Sequence, residues 1–505
     1  MHIVIAKEMY EIDRFAIEEV KMDGKLLMEN AGRAIAGRIA SMIDNSQVVL
    51  VLVGSGNNGG DGFVIARTLL KYGYTVTVLQ LVVDEKITGD AGYHKQLFVR
   101  SGGRIDALRS ADVIGELLKQ ADVIVDAMLG IGIKGPLRPP FDSVVKAINT
   151  SNLYTISVDI PSGVPADEVS AAFIGTKADY TFVLEAPKMS AFLQATAAYY
   201  GKWEVVDIGL PIQAFDSYQK RQVWGQEEFL STLPQREQFS YKGSHGKGLV
   251  IGGSMRMPGS VALTTMAALR AGAGLITVGT VAETIPTIAS QCAEAMYLPL
   301  TGRNGEIIDG SIQTSAYDAI VIGMGMGREK ATGQFVRKLV SEAQIPVIID
   351  ADGIFHIKQE MQVLSNRKSA TVLTPHVGEM SLLTGIPVSD ILAKPFTISK
   401  NFASTYQVYL VLKGPFTIIT DPWGRQTVST SGNPGLAKGG SGDVLSGILL
   451  AMIMQDESLS IALSNGCYLH GDAADRTVST KHSEQDLVAT DVIEGLASVF
   501  RTFHK

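Results

Sequence analysis

Short, unbroken apolar runs recur between glycine-rich turns and helix-length segments, and this alternation restricts the chain to a parallel-sheet α/β fold. Val48–Val53 reads VVLVLV, with no polar alternation, as expected of a strand buried on both faces. Gly62–Lys71 follows as a helix stopped by Gly73, and Thr75–Val83, Val123–Asp126 and Tyr154–Asp159 read as further strands. Such a rhythm predicts a doubly wound sheet with ligands at the carboxyl ends of its strands. It fades over Leu210–Gln238, which is polar and carries Pro211 and Pro234, and a boundary is placed there near residue 222. A second alternation then begins. Gly248–Ile251, Leu275–Val281, Ala319–Ile322, Val347–Asp350, Thr371–Leu373 and Tyr409–Leu412 read as strands, and Val261–Ala271 and Leu459–His482 as helices. At 505 residues the chain is too long for one core. The expected architecture is two three-layer α/β/α domains, 1–221 and 222–505.

Charge and cysteine use narrow the function. A net charge of −7 argues against a nucleic-acid binder that works by neutralising phosphates. Single lysines and backbone amides can still hold a small anion. The two cysteines, Cys292 and Cys467, suggest neither a disulfide framework nor a thiolate metal site. The leading MHIVIAKEMYEIDR lacks the apolar stretch of a signal peptide, and no apolar run is long enough to span a bilayer. A soluble, cytoplasmic protein without membrane or nucleic-acid partners is expected.

The densest chemical signal is Asn433–Gly447, NPGLAKGGSGDVLSG. Gly435, Gly439, Gly440 and Gly442 surround one acid, Asp443, before the apolar run Val444–Met454. Glycines let successive N–H groups turn toward one point, and a helix start adds its positive end, so an anion hole is expected. An acid beside an anion hole makes sense if Asp443 handles a proton while the amides hold phosphate charge. The plain alternative is a glycine-rich helix start capped by Asp443. Other motifs precede it in order: YKGSHGKGLVIGGS (Tyr241–Ser254), GMGMG (Gly323–Gly327), TPHVGE (Thr374–Glu379) and KGPFTII (Lys413–Ile419). Taken singly, His376 reads as a structural histidine, Lys413 as a solvated charge and GMGMG as a turn. Together, each at a strand end, they predict one shared cleft.

The N-terminal half carries GSGNNGGDG, Gly54–Gly62, in which Gly54, Gly56 and Gly59 satisfy the dinucleotide-binding G-x-G-x-x-G spacing. That fingerprint also asks for an acid at the end of the next strand, where Asp84 is the nearest. The loop adds Asn57, Asn58 and Asp61, whose oxygens are hard ligands. Asp126 ends a strand in VIVDAMLGIGIKGP, and Asp159 ends the next in SVDIPSG, with Ser162 close behind. Strand ends of one sheet converge, so Asn58, Asp126 and Ser162 can share a cation while Asp159 remains free for proton transfer. Turn or helix caps are the alternative reading of both aspartates.

These motifs carry two resemblances. GNNGGDG, DAMLGIGIKGP and SVDIPSG, within about Met9–Pro211, resemble the NAD(P)H-hydrate epimerases. That resemblance implies a Rossmann-like domain interconverting the R and S epimers of hydrated NAD(P)H. It implies substrate contacts from Asn57, Asn58, Gly59, Gly60 and Asp61, from Gly130, Ile131, Gly132, Ile133, Lys134, Gly135 and Pro136, and from Asp159. It implies potassium held by Asn58, Asp126 and Ser162. The second half, about Gln226–Phe503, is similar to the ribokinase-like superfamily and more closely to the ADP/ATP-dependent NAD(P)H-hydrate dehydratases. GMGMG and Val377 depart from the commoner Gly-Pro-Gly-Leu-Gly and proline of that family but keep the glycines and the histidine. The resemblance implies contacts to S-hydrate from Gly325, His376 and Asp443. It implies contacts to the adenine nucleotide from Lys413, Gly414, Pro415, Phe416, Thr417, Gly440, Ser441 and Gly442. Asp443 is then the base, magnesium accompanies ADP or ATP, and the hydroxyl is phosphorylated and eliminated. A homo-oligomer, a tetramer or higher, is also implied.

Two other readings stay open on the residues alone. A small-molecule kinase with a regulatory nucleotide-binding domain shares the glycine–aspartate motif but leaves GNNGGDG, Asp126 and Asp159 without a purpose. A non-catalytic sensor of pyridine nucleotides would need none of the acids for turnover.

Overall fold

The structure is a computed structural model describing every residue except 134, 169–171, 219, 456, 457, 504 and 505, together with the side chains of 111 and 503. Two compact units are present, Met1–Gln219 and Lys220–Lys505.

The first unit holds seven strands: β1 (Val48–Val53), β2 (Thr75–Gln80), β3 (Arg104–Ala107), β4 (Val123–Ala127), β5 (Tyr154–Val158), β6 (Tyr180–Leu184) and β7 (Lys202–Val206). They are ordered β3-β2-β1-β4-β5-β6-β7, every pair parallel. Alternate residues of β1 serve opposite cores. Val49, Val51 and Val53 pack with Ile35, Phe63 and Phe98 on one face, and Leu50 and Leu52 with Ile114 and Val144 on the other. This is why the strand reads apolar throughout. The chain reverses winding between β1 and β4, so the crevice opens where those two strands end.

The second unit holds β8 (Arg221–Trp224), β9 (Lys247–Ile251), β10 (Leu275–Val281), β11 (Met296–Arg303), β12 (Glu306–Asp309), β13 (Ala319–Ile322), β14 (Val347–Ile349), β15 (Thr371–Leu373), β16 (Tyr409–Leu412), β17 (Thr417–Thr420) and β18 (Gln426–Ser429). Their order is β12-β11-β10-β9-β13-β14-β15-β16-β17-β18-β8. β12 pairs antiparallel with β11, while β11, β10, β9, β13, β14, β15 and β16 are mutually parallel, so the turns after β9, β13, β14, β15 and β16 open on one edge in that spatial order. β17 and β18 turn back antiparallel, and β8 adds to β18 in parallel. Here too the sheet is covered twice. Val250 and Val321 face the helices Pro258–Arg270, Ser441–Ile453 and Leu459–Thr480, while Leu249, Ile251 and Ile320 face Lys330–Glu342 and its neighbours. Among the described residues no helix is long and apolar enough to cross a membrane.

Three local expectations shift. The helix expected from Gly62 begins at Asn57, because the amides of the NNGGD segment already follow helical hydrogen bonding, with Gly60 N–H donating to Gly56 O at 3.1 Å. The strand expected through Val83 ends at Gln80, whose side chain turns to bond the Val82 carbonyl at 2.8 Å. The division also leaves Arg221 in the second sheet, since it pairs with Gln426 on β18.

Gly323, directly after β13, has φ +128°, and a Cβ placed there would lie 1.9 Å from the Asp350 carbonyl oxygen. Gly323→Ala combines backbone strain with a backbone clash. A loss of at least about 2 kcal/mol in unfolding free energy is expected, measured by denaturant titration.

Candidate functional site

In the first unit a cavity of about 410 Å³ lies at the carboxyl ends of β1, β4, β5 and β6. Of the residues implied for substrate, Asn57, Asn58, Asp61, Gly130, Ile131, Gly132, Ile133 and Asp159 line it. Gly59 and Gly60 lie behind the wall, where the helix start presses on the Gly54 backbone and on Met28. Gly135 and Pro136 are also outside the lining, and Lys134 lies outside the described residues. Asp84 is elsewhere. It accepts from Gln80 Nε2 at 2.7 Å and pairs with Lys95 at 2.8 Å, and the lysine's hydrogen bond holds its carboxyl below the ordinary range.

Asn58, Asp126 and Ser162 are brought together. Ser162 Oγ donates to Asp126 Oδ1 at 2.5 Å, and Ser162 N–H donates to Asp126 Oδ2 at 2.8 Å. Leu129 N–H donates to Ser162 Oγ at 2.9 Å, and Asn58 Nδ2 donates to the Leu129 carbonyl at 2.9 Å. Asp126 is completely buried, and burial pushes its carboxyl up against the hydrogen bonds that lower it. Asn58 is 7% exposed, yet its Oδ1 has no hydrogen-bond partner. A buried amide oxygen without a donor costs free energy unless something positive faces it.

Asp159 sits one residue beyond β5 with φ +67°, a left-handed conformation costing an aspartate about 1 kcal/mol or more. Its N–H donates to Phe182 O at 2.7 Å, and its Oδ1 accepts from Leu184 N–H at 3.1 Å. The same oxygen accepts from Lys188 Nζ, which also donates to Leu184 O at 3.1 Å. Lys188 is fully buried. It was not among the residues read from sequence, although a lysine inside the apolar VLEAPKMSAFL is a signal that a buried partner awaits it. Asp61 is pushed well above the ordinary carboxylate range by burial, with Asp159 and Asp13 adding to it.

In the second unit the strand ends meet around Asp443. Gly440, at φ +94°, turns the chain into the helix Ser441–Ile453, with Asp443 in its first turn. Ser441 N–H donates back to the Lys438 carbonyl at 3.4 Å, and the next amides, of Gly442 and Asp443, are first-turn donors with no acceptor within the helix. Asn433, at the start of the motif, accepts from Gly435 N–H at 3.0 Å and donates to Asp475 at 2.8 Å, which fixes the approach to that helix. Asp443 is raised to about 6, first by burial and then by Asp350, against a Ser260 hydrogen bond and the charge of Lys413.

Lys413 donates to Asp350 Oδ1 at 2.9 Å and lies 4.0 Å from Glu379 Oε2. Ser446 Oγ, from the Asp443 helix, donates to the other Asp350 oxygen at 2.8 Å. Burial alone would lower the Lys413 ammonium, but these carboxylates overcome it and leave it above its usual value. Its tip lies 3.4 Å from where a Gly442 side chain would begin. Gly325, at φ +59°, packs against Met257 and Ser260, and so reaches the same serine as Asp443. His376 bridges to Lys413 through the backbone and is 59% exposed on its side chain. Its Nδ1 accepts from Gly378 and Glu379 N–H at 3.0 and 3.2 Å, which places the ring proton on Nε2. Gly414–Thr417 forms the turn between β16 and β17 beside it. The fixed partners Asp350, Glu379 and Ser446 were not read from sequence. Asp350 follows β14 as Asp159 follows β5, so the same rule could have found it.

Both halves therefore place an acid, a lysine and glycine-turned amides at parallel strand ends, and comparisons with known proteins agree with that division. The family described as NAD(P)H-hydrate dehydratase matches residues 248–496, and the YjeF-related protein N-terminus matches residues 24–190. The bifunctional NAD(P)H-hydrate repair enzyme Nnr of Moorella thermoacetica is 33% identical, covering 100% of this chain and 98% of its own length. That of Thermofilum pendens is 32% identical, covering 100% and 97%. A solved ADP/ATP-dependent NAD(P)H-hydrate dehydratase from Bacillus subtilis, co-crystallised with ATP and Mg2+, is 33% identical over 56% of this chain and 99% of its own, with a TM-score of 0.49. With both halves matched in order and relatives aligned end to end, the chain belongs to the family of bifunctional NAD(P)H-hydrate repair enzymes.

Proposed function

We propose that the two activities of this family are divided between the two sites: the cavity beside Asp159 epimerises R- and S-NAD(P)HX, and the cleft around Asp443 dehydrates the S form at the expense of ADP or ATP. The observation that carries this reading is that each set of strand-end residues converges within its own unit.

At the first site Asp159, fixed by Lys188 and Leu184, offers a carboxylate to a hydroxyl or water at the hydrated ring carbon. The unpartnered Asn58 Oδ1, the Leu129 carbonyl, Ser162 Oγ and Asp126 form a set of hard oxygen donors that fits potassium, not a soft metal. Bound there, potassium would supply positive charge beside the substrate and satisfy the amide oxygen. At the second site the amides of Gly440–Gly442 and the Lys413 ammonium meet the phosphates, and magnesium arrives as the nucleotide's own counter-ion. Asp443 takes the hydroxyl proton as phosphate is transferred, and elimination then restores the dihydropyridine ring. Gly414–Thr417 lies beside Lys413 for the nucleotide, and Gly325 and His376 flank the hydrate.

The test is an epimer mixture of NADHX supplied with the protein and ADP or ATP, followed by the return of NADH absorbance. Full conversion is expected with both nucleotide and K+. Exchanging K+ for tetramethylammonium is expected to stop conversion at the S fraction and to lower the thermal midpoint of the first unit. Asn58→Ala should remove that K+ response in the midpoint. Conversion of both epimers without the first site's residues would overturn the division.

A further inference from the structure

We infer that Asp13, on the N-terminal helix Ala6–Arg14, is a second catalytic acid–base of the epimerase cavity, working across it from Asp159. The inference rests on reading this cavity as the epimerase site. It concerns a segment that precedes the matched residues 24–190.

Asp13 and Tyr10 both line the cavity, and Tyr10 reaches over the Gly130–Ile133 wall, its hydroxyl 2.8 Å from where a Gly132 side chain would begin. The titratable groups that act on Asp13, or on which it acts, come from four elements, and Asp90 lines the same cavity. Asp61 comes from the helix after β1, Asp159 from the end of β5, Glu185 and Lys188 from the segment after β6, and Tyr10 from its own helix. The cavity is independently marked as a ligand site by the buried, unpartnered Asn58 Oδ1 in its wall.

The carboxylates are not equivalent. Asp159 is tied to Lys188 and to the Leu184 amide, so a buried cation and a backbone donor both face its carboxyl. Among the described residues Asp13 is bonded to no cation, and burial followed by the charge of Asp159 raises it to about 6, against the charge of Lys188. One carboxyl ready to give a proton and one ready to accept it is the arrangement needed to invert a carbon that bears a hydroxyl. That carbon in a hydrated dihydropyridine is bonded to the ring nitrogen. Asp13 gives its proton to the hydroxyl oxygen, the carbon–oxygen bond breaks with its electron pair leaving on water, and the nitrogen lone pair forms a carbon–nitrogen double bond. Water then adds to the opposite face, and its proton goes to Asp159. Solvent returns that proton to Asp13, so atoms and charge balance over the cycle. For the other epimer the two roles exchange.

The experiment follows purified R-NADHX with the full-length protein, without nucleotide, by chromatographic separation of the epimers, subtracting the uncatalysed rate. Asp13→Asn is expected to lower kcat at least about a hundredfold with KM within about threefold. The donor must be protonated, so wild-type kcat should fall as pH rises through about 6, and the variant should lose that limb. The thermal midpoint of the first unit, compared with wild type, reports whether that unit is folded, since dehydration of S-NADHX reports only on the second. If the amide variant does not fold, Asp13→Glu decides: its high-pH limb should move, and a limb that stays in place overturns the assignment. An Asp13→Asn protein that epimerises within threefold of wild type, or loses only KM, also overturns it. A wild-type protein that leaves R-NADHX untouched removes instead the epimerase reading on which the inference stands.

Discussion

Asp443→Asn is expected to cut nucleotide-dependent dehydration of S-NADHX at least about a hundredfold while leaving epimerisation at the wild-type rate. The amide cannot accept the hydroxyl proton, and loss of a positioned base costs about a hundred- to ten-thousandfold. Little else at the site should move. The helix start is held by Gly440, Ser446 is held by Asp350, and Lys413 keeps both of its carboxylate neighbours. Asp443 is raised to about 6, so the ionised base accumulates as pH climbs through that value. Wild-type kcat/KM for dehydration should rise to a plateau above about 6, and the residual activity of the variant should lack the rise. Turnover measured from pH 5 to 8 with S-NADHX and ADP checks both. A variant that retained more than a tenth of wild-type turnover would remove Asp443 from the role of base.

Asp159→Ala should do the reverse, with a stability effect attached. Epimerisation is lost, and dehydration of S-NADHX persists. Lys188 is fully buried and keeps only the Leu184 carbonyl once its carboxylate is removed. Breaking a buried ion pair from one side costs about 3–5 kcal/mol, so the first unit should unfold well before the second in a thermal scan. Alanine adds to that loss, because it tolerates a left-handed backbone less well than aspartate does. Asp159→Asn separates chemistry from folding. It retains an acceptor for Lys188 and Leu184, so it should fold with a smaller loss and still fail to epimerise. Loss of both activities in a folded Asp159→Asn protein would contradict the division between two sites.

The strand-ending acids were the most legible part of the molecule. Val48–Val53, Leu275–Val281, Ala319–Ile322, Thr371–Leu373 and Tyr409–Leu412 appear with the bounds that the sequence predicts, because strands buried on both faces carry few polar residues beyond threonine to blur them. β3, β7 and β18 were not legible. All three are short and mix polar with apolar residues; β3 and β7 are the edge strands of the first sheet, and β18 lies one strand in from the edge of the second. Within the sites, Asn58, Asp126, Asp159 and Asp443 announce themselves by glycine-rich or strand-end surroundings. Lys188, Asp13 and Ser446 do not, because their meaning lies in partners 29 to 146 positions away or across the cavity. Lys188 and Asp159 are 29 positions apart, Asp350 and Ser446 are 96, and neither spacing is a motif. Only folding shows that these charges meet.

The placement of β8 has a practical bearing on any attempt to sever the polypeptide. Arg221–Trp224 covers the outer margin of β18, and Trp224 Nε1 donates to Asn465 Oδ1 at 3.0 Å. A dehydratase fragment begun at the first helix after it, Gln226–Thr232, would lose that cover and leave the β18 amides and carbonyls bare. Naked sheet margins recruit other chains, so such a fragment should precipitate where one begun ahead of Lys220 stays dispersed.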